Sequence, residues 1–291
     1  FIIHPPEDLV RKQPGLRRLS HSLGLKYASR QVVTEEDLQM MGGALWNALG
    51  LKEAFDLAHK PAGAAILSII IESGAADVQA LPWETLYHPT HGFLGKHAGF
   101  TLTRRMGKPQ DSSMPLEKGP LRVLLFTSLP DDVNPEKGRL NVEEEQSQVQ
   151  EALLPWISKG FAQLEMPDDG RLSTLKELLK KFQPHILFLS GHGHFHHEPH
   201  TGEPPYGEFL FESEAGASEP IKEDEIAKAL IGSGVQAVIL SACESGKTAS
   251  DALNNGLTQR ISAQGVSHVV GMRESILDRA GIQFARALCD E

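Results

Sequence analysis

Short apolar runs alternate with amphipathic helical patterns along the second half of this chain. Residues 121–127, 185–190 and 237–242 are apolar runs of strand length bounded by turn residues, and residues 172–182 have apolar side chains at helical spacing. Consecutive parallel strands need a crossover, usually a helix, so this alternation is typical of a parallel sheet. Runs that are apolar throughout indicate strands covered on both faces. The sequence therefore predicts an α/β fold, a mostly parallel sheet with helices on both faces.

Composition limits the classes of protein to which the chain can belong. The 291 residues are 40% hydrophobic and 23% charged, as expected of a globular protein. A net charge of −10 argues against direct binding of nucleic acid, and the longest apolar stretch, residues 62–71, is too short to cross a membrane. The 2 cysteines do not make a disulfide framework and favour a reducing compartment. We therefore expect a cytoplasmic protein.

A stretch rich in Pro, Gly and Ser, residues 107–120, has the composition of a linker. We therefore predict an N-terminal subdomain of residues 1–117 and a second domain of residues 118–291. In the subdomain, residues 34–50 have a helical pattern with Thr34 in the N-cap position. The chain begins with Phe and ends inside a helical pattern, so we expect it to be part of a longer protein.

The tryptophans are predicted to be packing residues. Trp46 and Trp156 lie on helical patterns, and Trp83 belongs to the segment LPWE. Each is interpreted as part of a core, since large aromatic side chains are highly buried on average. Glu84, which follows Trp83, is expected to cap or pair locally rather than to contact a substrate.

Two of the apolar runs, 185–190 and 237–242, each lead into a turn that carries a reactive side chain. His192 stands between two glycines in GHG, and Cys243 stands among small residues in SACESG. If these strands are neighbours in a parallel sheet, both side chains emerge at its carboxyl-end edge, where open α/β sheets bind ligands. An imidazole there can take the proton of a thiol and make it a nucleophile. This pairing predicts a cysteine hydrolase with His192 and Cys243 as catalytic residues.

Groups close to this pair are candidates for the rest of the site. The backbone N–H groups of Gly193 and Cys243 are the natural donors to an oxyanion. Ser241 and Glu244, which flank Cys243, are candidates for contacts with substrate. No third member of a triad stands out in the sequence, so His192 is expected to be oriented by backbone alone.

A lone cysteine is ordinarily a buried packing residue, because free Cys is among the most buried residue types. Cys289 fits that interpretation, since it falls on the apolar side of the last helical pattern. Cys243 differs from it, because it stands in a turn and is followed by the polar residues Glu244 and Ser245. Only Cys243 is therefore interpreted as reactive.

A metal site is the alternative explanation of the histidines after the first of these strands: His192, His194, His196, His197 and His200. Alternate residues of an extended strand share a face, so three of these imidazoles could bind zinc, with Cys243 as a soft ligand. The glycines of GHG argue against an extended strand, and no acidic residue follows at the spacing usual for metal-dependent hydrolases. We therefore expect no metal and no cofactor, and a loop of histidines near the mouth of the site.

The motifs GHG and SACxSG, in this order and each after a strand, resemble those of the CHAT family. These caspase-like peptidases are often attached to tetratricopeptide repeats and belong to the clan of caspases, separases and clostripain. Further segments share the resemblance: 41–49, 81–87, 122–130, 207–212 and 265–288. The resemblance implies a His192–Cys243 dyad that hydrolyses a peptide bond in a protein substrate. It also implies a caspase-like second domain preceded by a smaller, degenerate caspase-like α/β half.

The chain departs from the family pattern at two points. Arginine-specific relatives commonly have an acidic residue two positions before the nucleophile, where this chain has Ser241, so strict cleavage after arginine is not expected. Nothing in the chain resembles tetratricopeptide helices. The resemblance also implies that a regulatory or sensor protein activates the enzyme, as in a bacterial system of defence or programmed death.

Two alternatives to a regulated cysteine endopeptidase stay open at this point. The first is a catalytically silent caspase-like scaffold that uses the sheet for protein interaction. The second is a metal-dependent hydrolase that uses the histidine-rich segment. Reactivity of Cys243 towards a peptide electrophile distinguishes the first, and activity in a strong chelator distinguishes the second.

Overall fold

The computed structural model describes residues 1–29, 31–62, 65–105, 119–133, 142–196, 204–242, 256–272 and 286. Cys243, Glu244 and Cys289 lie outside these ranges, as do His197 and His200. The described residues up to 105 form one compact unit and those from 119 onward form a second. The boundary predicted between residues 117 and 118 stays a prediction, because residues 106–118 are not described.

The first unit contains five helices and five strands in its described residues. The helices are α1 (Leu9–Lys12), α2 (Pro14–Ala28), α3 (Glu35–Leu49), α4 (Lys52–Ala62) and α5 (Ala76–Gln79). The strands are β1 (Ile2–Ile3), β2 (Leu67–Glu72), β3 (Tyr87–His88), β4 (Gly92–Phe93) and β5 (Phe100–Arg105). Strands β1, β2 and β5 form a parallel sheet in that order. The unit is therefore α/β, and its descent from a caspase-like half stays a prediction.

Local sequence signals of the first unit are found where they were predicted. Thr34 caps α3 in a reciprocal capping box with Asp37, and the helix ends at Gly50 in the left-handed conformation. Trp83 is fully buried, and its indole N–H donates to the carbonyl of Val78 at 2.8 Å. Glu84 pairs with the guanidinium of Arg104 through both carboxylate oxygens, so it forms an ion pair as predicted, but with a residue 20 positions away instead of locally.

The second unit contains eight strands and four helices in its described residues. Its strands are β6 (Leu121–Thr127), β7 (Ala162–Glu165), β8 (Ile186–Ser190), β9 (Gly193–His196), β10 (Tyr206–Glu212), β11 (Ser218–Lys222), β12 (Ala237–Ser241) and β13 (His268–Gly271). Its helices are α6 (Val142–Ser158), α7 (Leu172–Lys181), α8 (Glu223–Leu230) and α9 (Leu257–Ala263). Five strands form one sheet in the order β13-β12-β8-β6-β7, and every pairing is parallel. The predicted α/β fold is confirmed.

Both faces of the parallel sheet are covered because its strands are apolar on both sides. One set of strand side chains packs against α7, α8 and α9: Leu124, Phe126, Leu187, Leu189, Val238 and Leu240. The alternate set packs against α6: Val123, Leu125, Phe188 and Ile239. The face that lies against α6 therefore carries the odd-numbered residues of β6 and β12 and the even-numbered residues of β8.

Two details of the second unit differ from prediction. Residues 193–196 form β9, although the glycines around His192 argued against a strand there, because Gly193–His196 pair with β10. Trp156 is not a core residue: it is 50% exposed at the end of α6, where its ring lies 6.4 Å from that of Phe161.

Candidate active site

The two strands that precede His192 and Cys243 are direct neighbours in the sheet. Strands β8 and β12 pair in parallel, with Ser190 opposite Ser241. His192 follows Ser190 by two residues, and Cys243 follows Ser241 by two residues. The two candidate residues therefore stand at the same sequence distance from a pair of residues that are opposite each other in the sheet. Cys243 itself lies outside the described residues.

The turn between β8 and His192 is fixed by close packing around Gly191. A Cβ atom on Gly191 would lie 2.5 Å from the ring of Phe209 and 2.9 Å from the carbonyl oxygen of Ser128, so no larger residue fits. Its N–H donates to the carbonyl of Ser241 at 3.2 Å, which continues the contact with β12 beyond the last strand pair. The backbone that carries His192 is therefore held by the end of β12.

His192 is half-buried, and its carbonyl oxygen accepts the N–H of Leu210 at 2.9 Å. Burial lowers the pKa of the His192 imidazole below its ordinary 6.5, and the neighbouring His194 lowers that pKa further. The imidazole is thus neutral at neutral pH and able to accept a proton. These are the properties required of a general base.

Because the pKa of His192 is lowered, we expect the acidic limb of kcat/KM for proteolysis to lie below pH 6.5. His194 contributes to this lowering, so His194→Ala should raise the pKa of His192 and move this limb towards 6.5. A pH–rate profile of both proteins measures the effect, and the plateau at pH 8 should be the same in both. Loss of the plateau in His194→Ala would favour the metal-dependent alternative instead.

Gly193, a predicted oxyanion donor, is the first residue of β9 and is buried. Antiparallel pairing alternates between residues that bond to the partner strand and residues that point away from it. Since His192 bonds to Leu210 of β10, the N–H of Gly193 is directed away from β10. That direction suits a donor to substrate, and the role stays a prediction.

The two candidates for substrate contact differ in what the structure describes. Ser241 is half-buried at the end of β12, and its side chain lies on the face of the sheet that packs against α6. Glu244 lies outside the described residues. Neither role is tested by the geometry, and both stay predictions.

Two carboxylates that the sequence did not single out fix the loops beside His192. Glu212 accepts the N–H of Leu129, just after β6, and the N–H of Gly170, just before α7, each at 2.9 Å. Asp132 accepts both the N–H and the hydroxyl of Ser218 at the start of β11. The segments that follow β6 and β7 are thereby attached to the β10–β11 hairpin. No local sequence signal marks Glu212 and Asp132, because all four of these hydrogen bonds join residues that are distant in the sequence.

Glu223, the first residue of α8, bonds to two other segments: β10 and the residue before α9. Its carboxylate is 3% exposed and accepts the N–H of Gly207 in β10. Burial raises its pKa to about 7, and a hydrogen bond from Gly256 and the charge of Arg260 oppose that rise. A Cβ on Gly207 would lie 2.9 Å from the backbone nitrogen of Leu257, so β10 and the start of α9 are in close contact.

Glu223→Gln should stabilise the protein at alkaline pH and have little effect at pH 5. A carboxyl with a raised pKa binds its proton more tightly in the folded state, so its contribution is complete below pH 4.5 and is lost as the pH rises to about 7. That shift corresponds to about 3 kcal/mol of unfolding free energy. Urea unfolding at pH 5 and pH 8 measures it, and equal effects at both pH values would contradict the assignment.

The described part of the histidine segment does not bring three metal ligands together. Among the residues that the structure describes, no three His, Cys, Asp or Glu side chains converge on a point that could hold a metal ion. His196 pairs with Glu208 at 2.8 Å and stacks on Tyr206 with ring centroids 4.6 Å apart. The remaining members of the segment, His197 and His200, lie outside the described residues.

A second group of histidines lies in the first unit, around Phe55 and Phe100: His59, His88, His91 and His97. The Nδ1 atoms of His88 and His97 accept backbone N–H groups, so their imidazoles are committed to local turns. Burial lowers the pKa values of His88 and His91, and the neighbouring imidazoles lower them further. We interpret the group as a structural cluster.

None of the helices in the described part of the chain is both long and apolar enough to span a membrane. This agrees with the short apolar runs of the sequence.

Comparison with known proteins gives a match to one family. The family model of the CHAT domain matches residues 39–291. No curated protein matches the chain. Protein GSU0716 from Geobacter sulfurreducens is 21% identical over 43% of this chain and 51% of its own, about half its length, with a TM-score of 0.28, a likeness too partial to inform on fold or function. The family match covers most of the chain, including the strands that precede His192 and Cys243, and the chain therefore belongs to the CHAT domain family.

Proposed function

We propose that this protein is a cysteine endopeptidase in which His192 and Cys243 form the catalytic dyad. The observation that carries the proposal is the register of β8 and β12, which pairs Ser190 with Ser241. His192 and Cys243 each follow this pair by two residues in the sequence. Membership of the CHAT family supports the same reaction, because its members are related to caspase-like peptidases. The lowered pKa of His192 supports its role as the base.

In the proposed reaction, neutral His192 takes the proton of the Cys243 thiol, and the thiolate sulfur attacks the carbonyl carbon of the substrate. The carbonyl oxygen becomes an oxyanion that accepts the N–H groups of Gly193 and Cys243. The carbon–nitrogen bond then breaks, and His192 gives its proton to the leaving amine. Water, deprotonated by His192, hydrolyses the thioester and releases the acid product and the free thiol.

The substrate is a protein, and Ser241 and Glu244 contact it next to the nucleophile. Since Ser241 stands where an arginine-specific relative has an acidic side chain, we propose a specificity other than strict cleavage after arginine. A regulatory or sensor protein activates the enzyme, which acts in the cytoplasm within a defence or cell-death system. These statements rest on family resemblance.

A cleavage profile tests the proposed function and defines the specificity together. Whole-proteome peptides are incubated with the protein and with Cys243→Ala, and the new termini are compared by mass spectrometry. We expect cleavage sites that share a preferred residue and vanish in the variant. The same sites in both proteins would exclude Cys243 as the nucleophile. No sites in either, together with failure of a peptide electrophile to label Cys243, would support the silent scaffold.

A further inference from the structure

A buried carboxyl group lies beneath the turn that carries His192. Glu145, near the start of α6, is 5% exposed, and Ser190, the last residue of β8, is 0% exposed. The hydroxyl of Ser190 donates to Oε2 of Glu145 at 2.7 Å. The contact joins residues 45 positions apart in the sequence, so it attaches a helix to the end of a strand.

Ser190 is the point at which the three central strands are connected beyond their regular pairing. Its carbonyl oxygen accepts the N–H of Ser128 after β6 at 2.9 Å. The residue that follows, Gly191, donates to Ser241 of β12 at 3.2 Å and has no room for a Cβ. The side chain of Ser190 adds a further contact at this position, through Glu145.

A second hydrogen bond between α6 and the end of a strand provides a comparison with the bond between Glu145 and Ser190. Thr127 is paired with Ser190 across the sheet, and its hydroxyl oxygen accepts Nε2 of Gln146 at 3.1 Å. A neutral amide thus connects α6 to the end of β6, whereas a buried carboxyl group connects α6 to the end of β8. Burying a polar group is costly unless it is hydrogen-bonded. Glu145 and Ser190 are both buried, whereas Thr127 and Gln146 are half-buried, so the buried connection lies at the end of the strand that leads to His192.

We propose that Glu145 is a positioning residue, which acts through Ser190 to fix His192 relative to the end of β12. The proposal rests on the proposed function, because it assigns Glu145 a part in the same site. Glu145 does not touch the substrate in this account. No third catalytic residue stands out in the sequence. In this account Glu145 positions His192 indirectly, because it bonds to Ser190 at the end of β8 and not to the imidazole ring.

The effect of Glu145 should appear in kcat more than in KM. Displacement of a catalytic group by about 1 Å can reduce the rate about 100-fold without a change in substrate contacts. Glu145→Ala and Ser190→Ala should each lower kcat between about 10-fold and 100-fold, and the double variant should lose no more than either single variant, because both remove one connection. Glu145→Gln retains an acceptor oxygen and should recover most of the activity.

The matched controls are Thr127→Val and Gln146→Ala, which remove the neutral connection one strand away. We expect them to lower thermal stability as much as the Glu145 variants do, with kcat within about threefold of the parent. A purely structural role for Glu145 predicts the same kcat per folded molecule in all of these variants, which would overturn the proposal. If the reductions in kcat of Glu145→Ala and Ser190→Ala add up in the double variant, the proposal would be overturned as well.

A second readout does not depend on proteolysis. The pKa of His192 is measured by NMR titration of its imidazole in the parent and in each variant. Loosening of the strand end hydrates the ring, so Glu145→Ala should raise this pKa towards 6.5, whereas Thr127→Val should leave it unchanged. If the parent protein cleaves no substrate but the pKa of His192 rises in Glu145→Ala, the proposed peptidase activity would be refuted and the positioning role of Glu145 retained. An active parent without the shift and without loss of kcat would refute the positioning role alone.

Discussion

His192→Ala and Cys243→Ala should each reduce kcat/KM for proteolysis by at least about 1,000-fold. The dyad acts as one unit, so loss of either the base or the nucleophile removes the covalent route completely. The double variant should be no less active than either single variant. Folding should be retained, because His192 is half-buried at the end of a strand and is not part of the hydrophobic core. Initial rates on a peptide found in the cleavage profile measure the effect.

The control for this prediction is Cys289→Ala, which removes the other thiol of the chain. We expect activity close to that of the parent and the same melting temperature. Equal loss of activity in all three single variants would indicate general destabilisation. Retention of activity in Cys243→Ala would show that the reaction does not use this thiol.

Gly191→Ala should lower the free energy of unfolding by about 3 kcal/mol. The added methyl group would lie 2.5 Å from the ring of Phe209 and 2.9 Å from the carbonyl oxygen of Ser128. Both neighbours are fully buried, so neither can move without displacing the strands around it. The strain falls on the turn before His192, and proteolysis should be lost even at temperatures where the variant is folded.

The control is Gly24→Ala in α2, where an added Cβ meets nothing within 4 Å. Alanine is the better helix former, so this variant should be as stable as the parent or up to about 1 kcal/mol more stable. Urea unfolding of both variants provides the measurement. An unchanged free energy of unfolding in Gly191→Ala would show that the packing around this turn is looser than described.

The central sheet was predictable because its signals are local. The strands β8 and β12 are short apolar runs bounded by turn residues, and the helices between them are amphipathic or capped. That β8 and β12 are neighbours was a condition of the predicted site, and the pairing of the two strands in the structure meets it. The capping box of α3 was predictable for the same reason, since Thr34 and Asp37 are three residues apart.

The missed features depend on contacts between distant residues. Strand β9 forms because Gly193–His196 pair with β10, and its local glycines indicate a turn. Glu145, Glu212 and Glu223 have the sequence context of solvated side chains, and only their distant partners make them buried or half-buried hydrogen-bond acceptors. Periodicity likewise placed Trp156 in the core, but the end of α6 leaves half of its surface exposed.

The rate of alkylation of Cys243 by iodoacetamide tests most directly whether the two reactive side chains meet. The rate is measured from pH 5 to 9 by mass spectrometry in Cys289→Ala, with and without His192→Ala. Thiolate is the reactive form of cysteine, and a free thiol has a pKa of about 8.5. Neutral His192 can take the proton of the thiol as the sulfur attacks, so we predict that between pH 6.5 and 8 Cys243 is alkylated at least about 10-fold faster than in His192→Ala. Equal rates with and without His192 would show that the two groups do not interact, and would contradict the account.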